Sequence, residues 1–561
     1  MSPVERPNAR PDAGQRGADH LVRSLVERGV KLALGIPGGA ISAVFDALED
    51  TPIRTVLTRH ESGAVFAAAA SGWKTGQPAV VLVTSGPGVL NTVNALASAK
   101  HDGMPLLLLV GEVPRRAQGR NALQDGSEHG LRVAEVLRPV AKHVGVVPAA
   151  SALVPMVHEA LTAAMTVPMG PAVLTLPAEL LAEHTEPVRV LSSQPAPRPA
   201  LPGLAPLATM LGCCSRPLIF AGSGCRSGDG PALLLQLAER LSAPVMTTPK
   251  AKGVFPETHP LSLGFFGVGG HPSAHDAVAA GGDALLVLGS SLGEMTTSGW
   301  SDALRACGPI IQVDVAASKL SRSYPVDWAI DATVADFSAA LLAVLPPVAV
   351  SEPWVPRLRR FPRGSRRGSR MHPVDAVREI QHVMPANTTF AVDSGEHSFF
   401  AGHYLEVRTP HGYFATQGLG SMGGGICGAI GLALSAPDQP VACICGDGGM
   451  LMVLGELATA ATSNAPVRWF VFNDNKLGMV DHGMKALYGR SDGFALGSVD
   501  LAAAAAALGV TSFTARKPGD LIAEETLLRE HSGPVLVNIL VDPEPSMPKG
   551  GRLATLSDTR E

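Results

Sequence analysis

The segment VACIC (441–445) is an unbroken apolar run, followed by Gly446, Asp447, Gly448 and Gly449. Beyond that turn, Leu451, Leu454, Leu457, Ala458 and Ala461 recur at helical spacing. VRWFVF (467–472) is a second apolar run, ending in Asn473, Asp474 and Asn475. Short apolar runs bounded by turn residues predict buried strands, and the periodic stretch between them predicts one helix. Two parallel strands joined by a helical crossover send both polar ends out of the same carboxyl edge of one sheet. Asp447 and Asp474, 474 − 447 = 27 residues apart, therefore meet at that edge.

The alternation recurs along the chain. GVKLALGIPGGAISAVFDAL (29–48) reads as strand, glycine turn and helix, with Gly35, Pro37, Gly38 and Gly39 in the turn. IRTVLTRHESGAVFAAAASGWKTG (53–76) reads as strand, Arg59-His60-Glu61 and an alanine-rich helix. AVVLVTSGPGVLNTVNAL (79–96) reads as strand, Ser85-Gly86-Pro87-Gly88 and a helix carrying Asn91. Three such blocks, 17–185, 204–345 and 374–545, predict an α/β protein of three domains, each an open parallel sheet flanked by helices. Proline-rich connectors at 186–203 and 346–373 separate them. Residues 1–16 read as a flexible lead-in and 546–561 as a tail.

Composition narrows the functional classes. A hydrophobic share of 46% over 561 residues supplies several cores, and a net charge of −4 argues against a broad nucleic-acid surface. The arginine cluster in the second connector reads as a solvated face. The seven cysteines lack C-x-x-C spacing and fit reduced core thiols in a cytoplasm. The first twenty residues have no apolar signal core, and runs such as PLLLLV are too short to cross a bilayer.

The chemistry follows from the sheet edge. Free amides at a helix start favour an anion, and two carboxylates beside them favour a hard cation. Together they suit a magnesium-bridged phosphate or diphosphate. The alternative is an ordinary tight turn with a structural Asp, and for Glu61 an ordinary first-turn charge on a helix.

Read in order, RHE, TSGPGVLNTVNALASA, GEVPRR, GLGSMGGG, GDGG and NDN resemble the thiamine diphosphate enzymes, and most closely the catalytic subunit of acetolactate synthase, over residues 17–545. The resemblance implies a pyrimidine-binding, a central and a diphosphate-binding domain. It implies thiamine diphosphate with Mg²⁺ held by the side chains of Asp447 and Asp474 and the backbone carbonyl of Lys476. It assigns Glu61 to N1′ of the cofactor's pyrimidine, with burial raising the glutamate's pKa. It gives the carbonyl of Gly420 to N4′ and sets Met422 beneath the bend of the cofactor. Gly395, Glu396 and His397 fall in a diphosphate-side loop, where the family usually has glutamine before the histidine. Pro87, Asn91, Gly446, Gly448, Gly449, Gly478 and Met479 join the cofactor-binding set, and Gln124 and Gly39 join Glu61 in the catalytic one. Family sites form between subunits, which implies a homodimer at least and allows a tetramer.

The departures concern the second substrate. Asp474 stands where asparagine is common, Leu123 where phenylalanine is usual, Ala178 where lysine is common. LGMVDHGMKALYGR (477–490) lacks a tryptophan, and LGSSLGEMTTSG (288–299) lacks both arginines of the family stretch, one at Ser291. Asp481 and His482 are read as either acceptor-binding groups or an exposed loop pair. Gly222, Ser223, Gly224 and Asp314 sit where acetolactate synthases hold FAD, and with the Ser291 arginine gone the sequence leaves flavin open. The expected activity is decarboxylation of a 2-oxo acid, pyruvate by default, with ligation of the acyl unit to a carbonyl acceptor. The alternatives are a non-ligating decarboxylase or C–C lyase, and a non-catalytic scaffold.

Overall fold

Short apolar runs between turns fold as parallel strands, fully buried in the middle of a sheet, as in Leu106–Glu112 and Val467–Asn473, and partly exposed at the edges, as in Arg54–Leu57, His143–Val146, Trp328–Asp331 and Thr511–Ala515. A computed structural model describes residues 15–186, 201, 203–346, 353–362 and 370–547. Most of the expected lead-in, first connector and tail lies outside these residues, as does part of the second connector. The chain divides into two compact units, Met1–Pro195 and Ala196–Glu561.

The first unit holds one six-stranded sheet: β1 Leu32–Gly35, β2 Arg54–Leu57, β3 Ala79–Thr84, β4 Leu106–Glu112, β5 His143–Val146 and β6 Pro171–Pro177, in the order β2-β1-β3-β4-β6-β5. Helix Glu61–Thr75 packs on it through a run of small residues, Ala67 to Ala70, all buried.

The second unit holds two more sheets. One comprises β7 Pro217–Ala221, β8 Val245–Thr247, β9 Ser262–Phe265, β10 Ala284–Leu288, β11 Ile310–Asp314 and β12 Trp328–Asp331, in the order β12-β11-β10-β7-β8-β9. The other comprises β13 Thr389–Val392, β14 Tyr413–Ala415, β15 Val441–Gly446, β16 Val467–Asn473, β17 Thr511–Ala515 and β18 Val535–Leu540, in the order β14-β13-β15-β16-β18-β17. The first and third sheets thus share one winding. All pairs are parallel, and β15 pairs with β16 from Val441↔Val467 to Gly446↔Phe472. Strand order reverses between β1 and β3, between β7 and β10 and between β13 and β15, where loops at the carboxyl ends open a crevice.

Two expectations change. The segment after Gly449 is not one helix but two, Asp447–Met452 and Glu456–Ser463. Val453 leaves helical geometry at φ −128°, and Gly455 caps the second helix. The turn rotates the buried face, so that Ala460 is buried rather than Ala461. The second connector is not simply solvated either. Trp354 Nε1 donates to Pro217 O at 3.1 Å, Arg359 pairs with Asp276, and Arg360 Nε donates to His403 O at 3.0 Å. Residues 353–362 are therefore docked across the second unit. Among the described residues no helix is long and apolar enough to cross a membrane.

Candidate active site

In the first unit the loops after β1, β2 and β3 converge. Glu61 opens its helix directly after the N-cap His60, whose Nδ1 accepts from Ser62 N at 3.2 Å. Asn91 Nδ2 donates to Glu61 Oε2 at 2.9 Å. Pro87 starts the short helix Pro87–Leu90 after Gly86, whose φ of 72° a side chain would strain. A Cβ on Gly88 would lie 3.3 Å from Thr84 Oγ1 and 3.5 Å from Glu61 Oε1, so this loop runs directly beside the carboxylate. Gln124, itself at φ 60°, packs on Gly86. The Gly38–Gly39 turn follows β1 and lies against Thr84, and Gly39 O accepts from Ser42 Oγ at 3.0 Å. Glu61 is half-buried, on the first turn of its helix at a loop crevice.

One positioning residue escaped the sequence reading. Glu112, at the end of β4, accepts from Ser85 Oγ at 2.9 Å, Val113 N at 2.8 Å and Gly126 N at 3.0 Å. It ties the loop after β3 to the segment bearing Gln124, and burial pushes its carboxyl pKa up. An acidic residue at the carboxyl end of an all-apolar strand was the available signal.

In the second unit, Asp447 and Asp474 leave β15 and β16 side by side. Asp447 accepts from Gly448 N at 2.8 Å and from Asn475 N at 2.9 Å, so the second strand's turn is fastened to the first carboxylate. Asp474 Oδ1 accepts from Lys476 N at 3.2 Å. Burial, reinforced by the charge of Asp474, pushes the Asp447 pKa up to about 7, and burial also raises that of Asp474. A buried Asp447 and a half-buried Asp474, whose ionisation is made costly by burial and by the neighbouring charges of Asp474 and Glu396 respectively, form a site that a divalent cation stabilises. Among the described residues no group of three His, Cys, Asp or Glu side chains is placed to hold a metal. The donor set therefore fits a cation that takes its remaining oxygens from a backbone carbonyl and a bound phosphate.

The surrounding backbone fits a diphosphate. A Cβ on Gly478 would stand 2.6 Å from Asp474 Oδ2, and one on Gly448 would stand 2.9 Å from Leu477. Gly395 caps helix Glu396–Tyr404 at φ 151°, a conformation open to glycine. His397 Nε2 donates to Asp393 O at 2.9 Å, its ring lies under Gly446, and burial lowers its pKa to about 4, so it is neutral. Gly420 has φ 70° and open space where a side chain would be, and the Met422 methyl reaches toward Gly448. Gly395, Glu396, His397, Gly420, Met422, Gly446, Asp447, Gly448, Gly449, Asp474, Lys476, Gly478 and Met479 all line one cavity of about 500 Å³. Lys252, Phe265, Glu294 and Met295 close it from the side of the second sheet. Lys252 is fully buried and paired with Glu257. Sequence reasoning missed it because, although Glu257 is only five residues away, the cavity that Lys252 lines is assembled from distant segments.

Asp393 was also missed. Its buried carboxylate accepts from Gly423 N at 3.0 Å and Gly425 N at 2.9 Å, anchoring the Gly420–Met422 loop at the start of helix Gly424–Ser435. Asp393→Ala orphans both donors and is expected to cost about 2 kcal/mol, read by chemical denaturation of the cofactor-free protein.

The second-substrate residues fare differently. Asp481 is neither an acceptor group nor exposed. It is fully buried on helix Gly478–Tyr488 and accepts from Lys476 Nζ at 2.7 Å and Lys485 Nζ at 2.9 Å. Burial alone would raise its pKa, but the lysine hydrogen bonds hold it well below the usual carboxylate range. His482 Nδ1 lies 2.8 Å from Glu396 Oε1 and Nε2 lies 3.1 Å from Pro543 O, so this ring too is committed internally. Leu123 is 87% exposed, Ser291 is exposed and Ala178 half-buried.

The residues considered for flavin have structural roles of their own. The second sheet has the winding of dinucleotide-binding folds, and Gly222 and Gly224 lie at its reversal. A Cβ on either would collide with the backbone of Gly289, so both glycines serve close packing. Asp314 Oδ1 caps its own turn at Ala316 N, 2.9 Å away. Each of the three thus has a packing or turn-capping role of its own.

Three family models match the chain: the N-terminal TPP binding domain of thiamine pyrophosphate enzymes over residues 15–130, their central domain over 204–341 and their C-terminal TPP binding domain over 393–539. The large subunit of acetolactate synthase isozyme 1 from Escherichia coli K12 is 30% identical over 550 residues, covering 95% of this chain and 96% of that one. A probable acetolactate synthase large subunit from Methanocaldococcus jannaschii is 31% identical over 579 residues, covering 96% and 95%. In fold, the chain is similar to the thiamine diphosphate-dependent 4-hydroxybenzoylformate decarboxylase of Rhodococcus jostii RHA1, with a TM-score of 0.83, 21% identity, and coverage of 94% and 99%. The chain is a divergent, acetolactate-synthase-like member of the thiamine diphosphate-dependent enzyme family.

Proposed function

We propose that this enzyme decarboxylates a 2-oxo acid, with pyruvate as the default donor, and transfers the acyl unit to a carbonyl acceptor that is not a second 2-oxo acid. The observation that carries the reading is the pairing of buried Asp447 with half-buried Asp474 at adjacent strand ends, fastened by Asn475 N and facing a glycine-walled cavity. When bound, thiamine diphosphate supplies the electron sink that loss of CO₂ requires. Asp447, Asp474 and the Lys476 carbonyl would hold Mg²⁺ on its diphosphate. Glu61, oriented by Asn91, would hold a proton at N1′, and the Gly420 carbonyl would accept from N4′. The minimum assembly in this reading is a homodimer in the cytoplasm, with seven free thiols.

The acceptor preference rests on charge. Ala178 and Ser291 stand in place of two cations of the acetolactate synthase pattern, and without them an acceptor carboxylate loses its partners. Pyruvate alone should therefore give little acetolactate, and an aldehyde, ketone or thioester acceptor should give faster turnover. Purified enzyme with thiamine diphosphate, Mg²⁺ and a panel of 2-oxo acids and acceptors, read by mass spectrometry, tests this. Efficient pyruvate self-condensation that added aldehydes leave unchanged would return the enzyme to ordinary acetolactate synthesis. Acetaldehyde or CO₂ with no ligated product would mark a plain decarboxylase.

A further inference from the structure

The cavity wall carries an anion too many for an anionic cofactor. Glu396 lies beside Asp474, raising its pKa, and a Cβ on Gly478 would be 3.1 Å from Glu396 Oε2. An uncompensated glutamate here would repel a diphosphate, since a nearby like charge in a poorly solvated site is costly. Its carboxylate is instead bracketed. His482 Nδ1 lies 2.8 Å from Oε1 and 3.0 Å from Oε2, and Met547 N donates to Oε1 at 2.9 Å.

The imidazole's state follows from its partners. Nδ1 faces a carboxylate and Nε2 faces the Pro543 carbonyl at 3.1 Å. Neither acceptor can donate, so both ring nitrogens carry hydrogen and the ring is cationic. Both side chains are largely buried, at 12% exposure for Glu396 and 17% for His482, so solvent screens the pair weakly. The other charges near His482 are Lys476 and Asp481, and Asp481 is already neutralised by Lys476 and Lys485. His482 is thus the cation given over to Glu396.

We propose that His482 is the built-in counter-ion of Glu396, a positioning residue that neutralises this carboxylate and so permits magnesium–diphosphate binding in the cavity. The inference rests on the reading of that cavity as the diphosphate site. It treats Glu396 and His482 as one unit: a carboxylate is tolerated in the wall because its charge is cancelled from behind. The same pair seats the segment Pro543–Met547, which Glu396 and His482 grip from either end.

The test is a double-mutant cycle on the full chain, stripped of cofactor and titrated calorimetrically with thiamine diphosphate and Mg²⁺. His482→Gln leaves Glu396 charged and uncompensated and should weaken binding by about tenfold or more. Glu396→Gln changes a cavity-lining residue, so its own affinity is the baseline for the cycle: adding His482→Gln to it should cost no more than about threefold, because the charge is gone and an amide oxygen still accepts from Met547 N. The double variant should recover most of the affinity lost in His482→Gln. A role confined to seating the segment predicts the opposite, a double variant at least as weak as the worse single one, and that result overturns the proposal. So does a His482→Gln protein that binds like the parent.

Should His482→Gln not fold, Glu396→Gln gives a second route. The His482 pKa is raised by its hydrogen bond to Glu396 against the opposing effect of burial, so its proton is lost as pH rises through that raised value. Cofactor affinity of the parent should then fall with pH more steeply than that of Glu396→Gln, and equal slopes would refute the pairing. Asp447→Ala serves as the control on the underlying reading. If it binds cofactor normally, the cavity is not the diphosphate site. If it fails to bind while the cycle is additive, only the counter-ion role is lost.

Discussion

Asp447→Ala is expected to weaken retention of thiamine diphosphate with Mg²⁺ by about a thousandfold or more, while Asp474→Asn costs about tenfold or less. The asymmetry comes from geometry. In the proposed site Asp447 would supply an oxygen to the cation, and it holds Asn475 N at 2.9 Å, so its loss would remove a ligand and release the turn carrying the second one. Asp474→Asn keeps an oxygen able to coordinate, and it removes one negative charge from a wall that already holds Asp447 and Glu396. Calorimetric titration decides it, and normal binding by Asp447→Ala would withdraw the metal assignment. The same residue predicts a pH effect without any cofactor. Its folded pKa of about 7 lies above the usual carboxylate value, so ionisation opposes folding. Its contribution is most favourable below pH ~4, declines as pH rises toward 7 and is constant above that. Asp447→Asn should flatten that decline in thermal melts of the stripped protein relative to the parent.

Glu61→Gln is the second large effect. The fold should survive, because Asn91 can donate to the amide oxygen as it does to Oε2 and the helix start is unchanged. In the proposed mechanism the variant would lose the group that holds and releases a proton at N1′. Positioned acid–base groups contribute roughly 10²–10⁴-fold, and the loss should fall in that range. Hydrogen–deuterium exchange at C2 of the bound cofactor measures it before any substrate enters. Exchange as fast as in the parent would remove Glu61 from activation and leave Asn91→Glu61 as a loop contact.

The sequence by itself determined the strand–turn–helix units and the edge on which their loops gather. A buried parallel strand needs an unbroken apolar run, and a tight βα turn needs glycine, so VACIC–GDGG and VRWFVF–NDN carried their geometry in local chemistry. Parallel crossover then brought Asp447 and Asp474 together with no further information. Local pattern was less reliable where helix propensity met a break, as at Val453–Gly455, since a periodic row of leucines does not reveal that the axis turns.

Only the tertiary structure decided which charged groups pair. Asp481 and His482, adjacent in sequence, point to different partners: two lysines for one, Glu396 and Pro543 for the other. Arg360 reaches the carbonyl of His403, Glu112 reaches Gly126, and Glu257 accepts from Val407 N, 150 residues away, at 3.0 Å. These contacts depend on where whole elements come to rest, and a buried ion accepts almost any partner of opposite sign that packing brings within reach. Periodicity records which face of an element is apolar. It carries no record of which distant group will stand opposite a charge, and that pairing is what makes Glu396 tolerable beside a diphosphate.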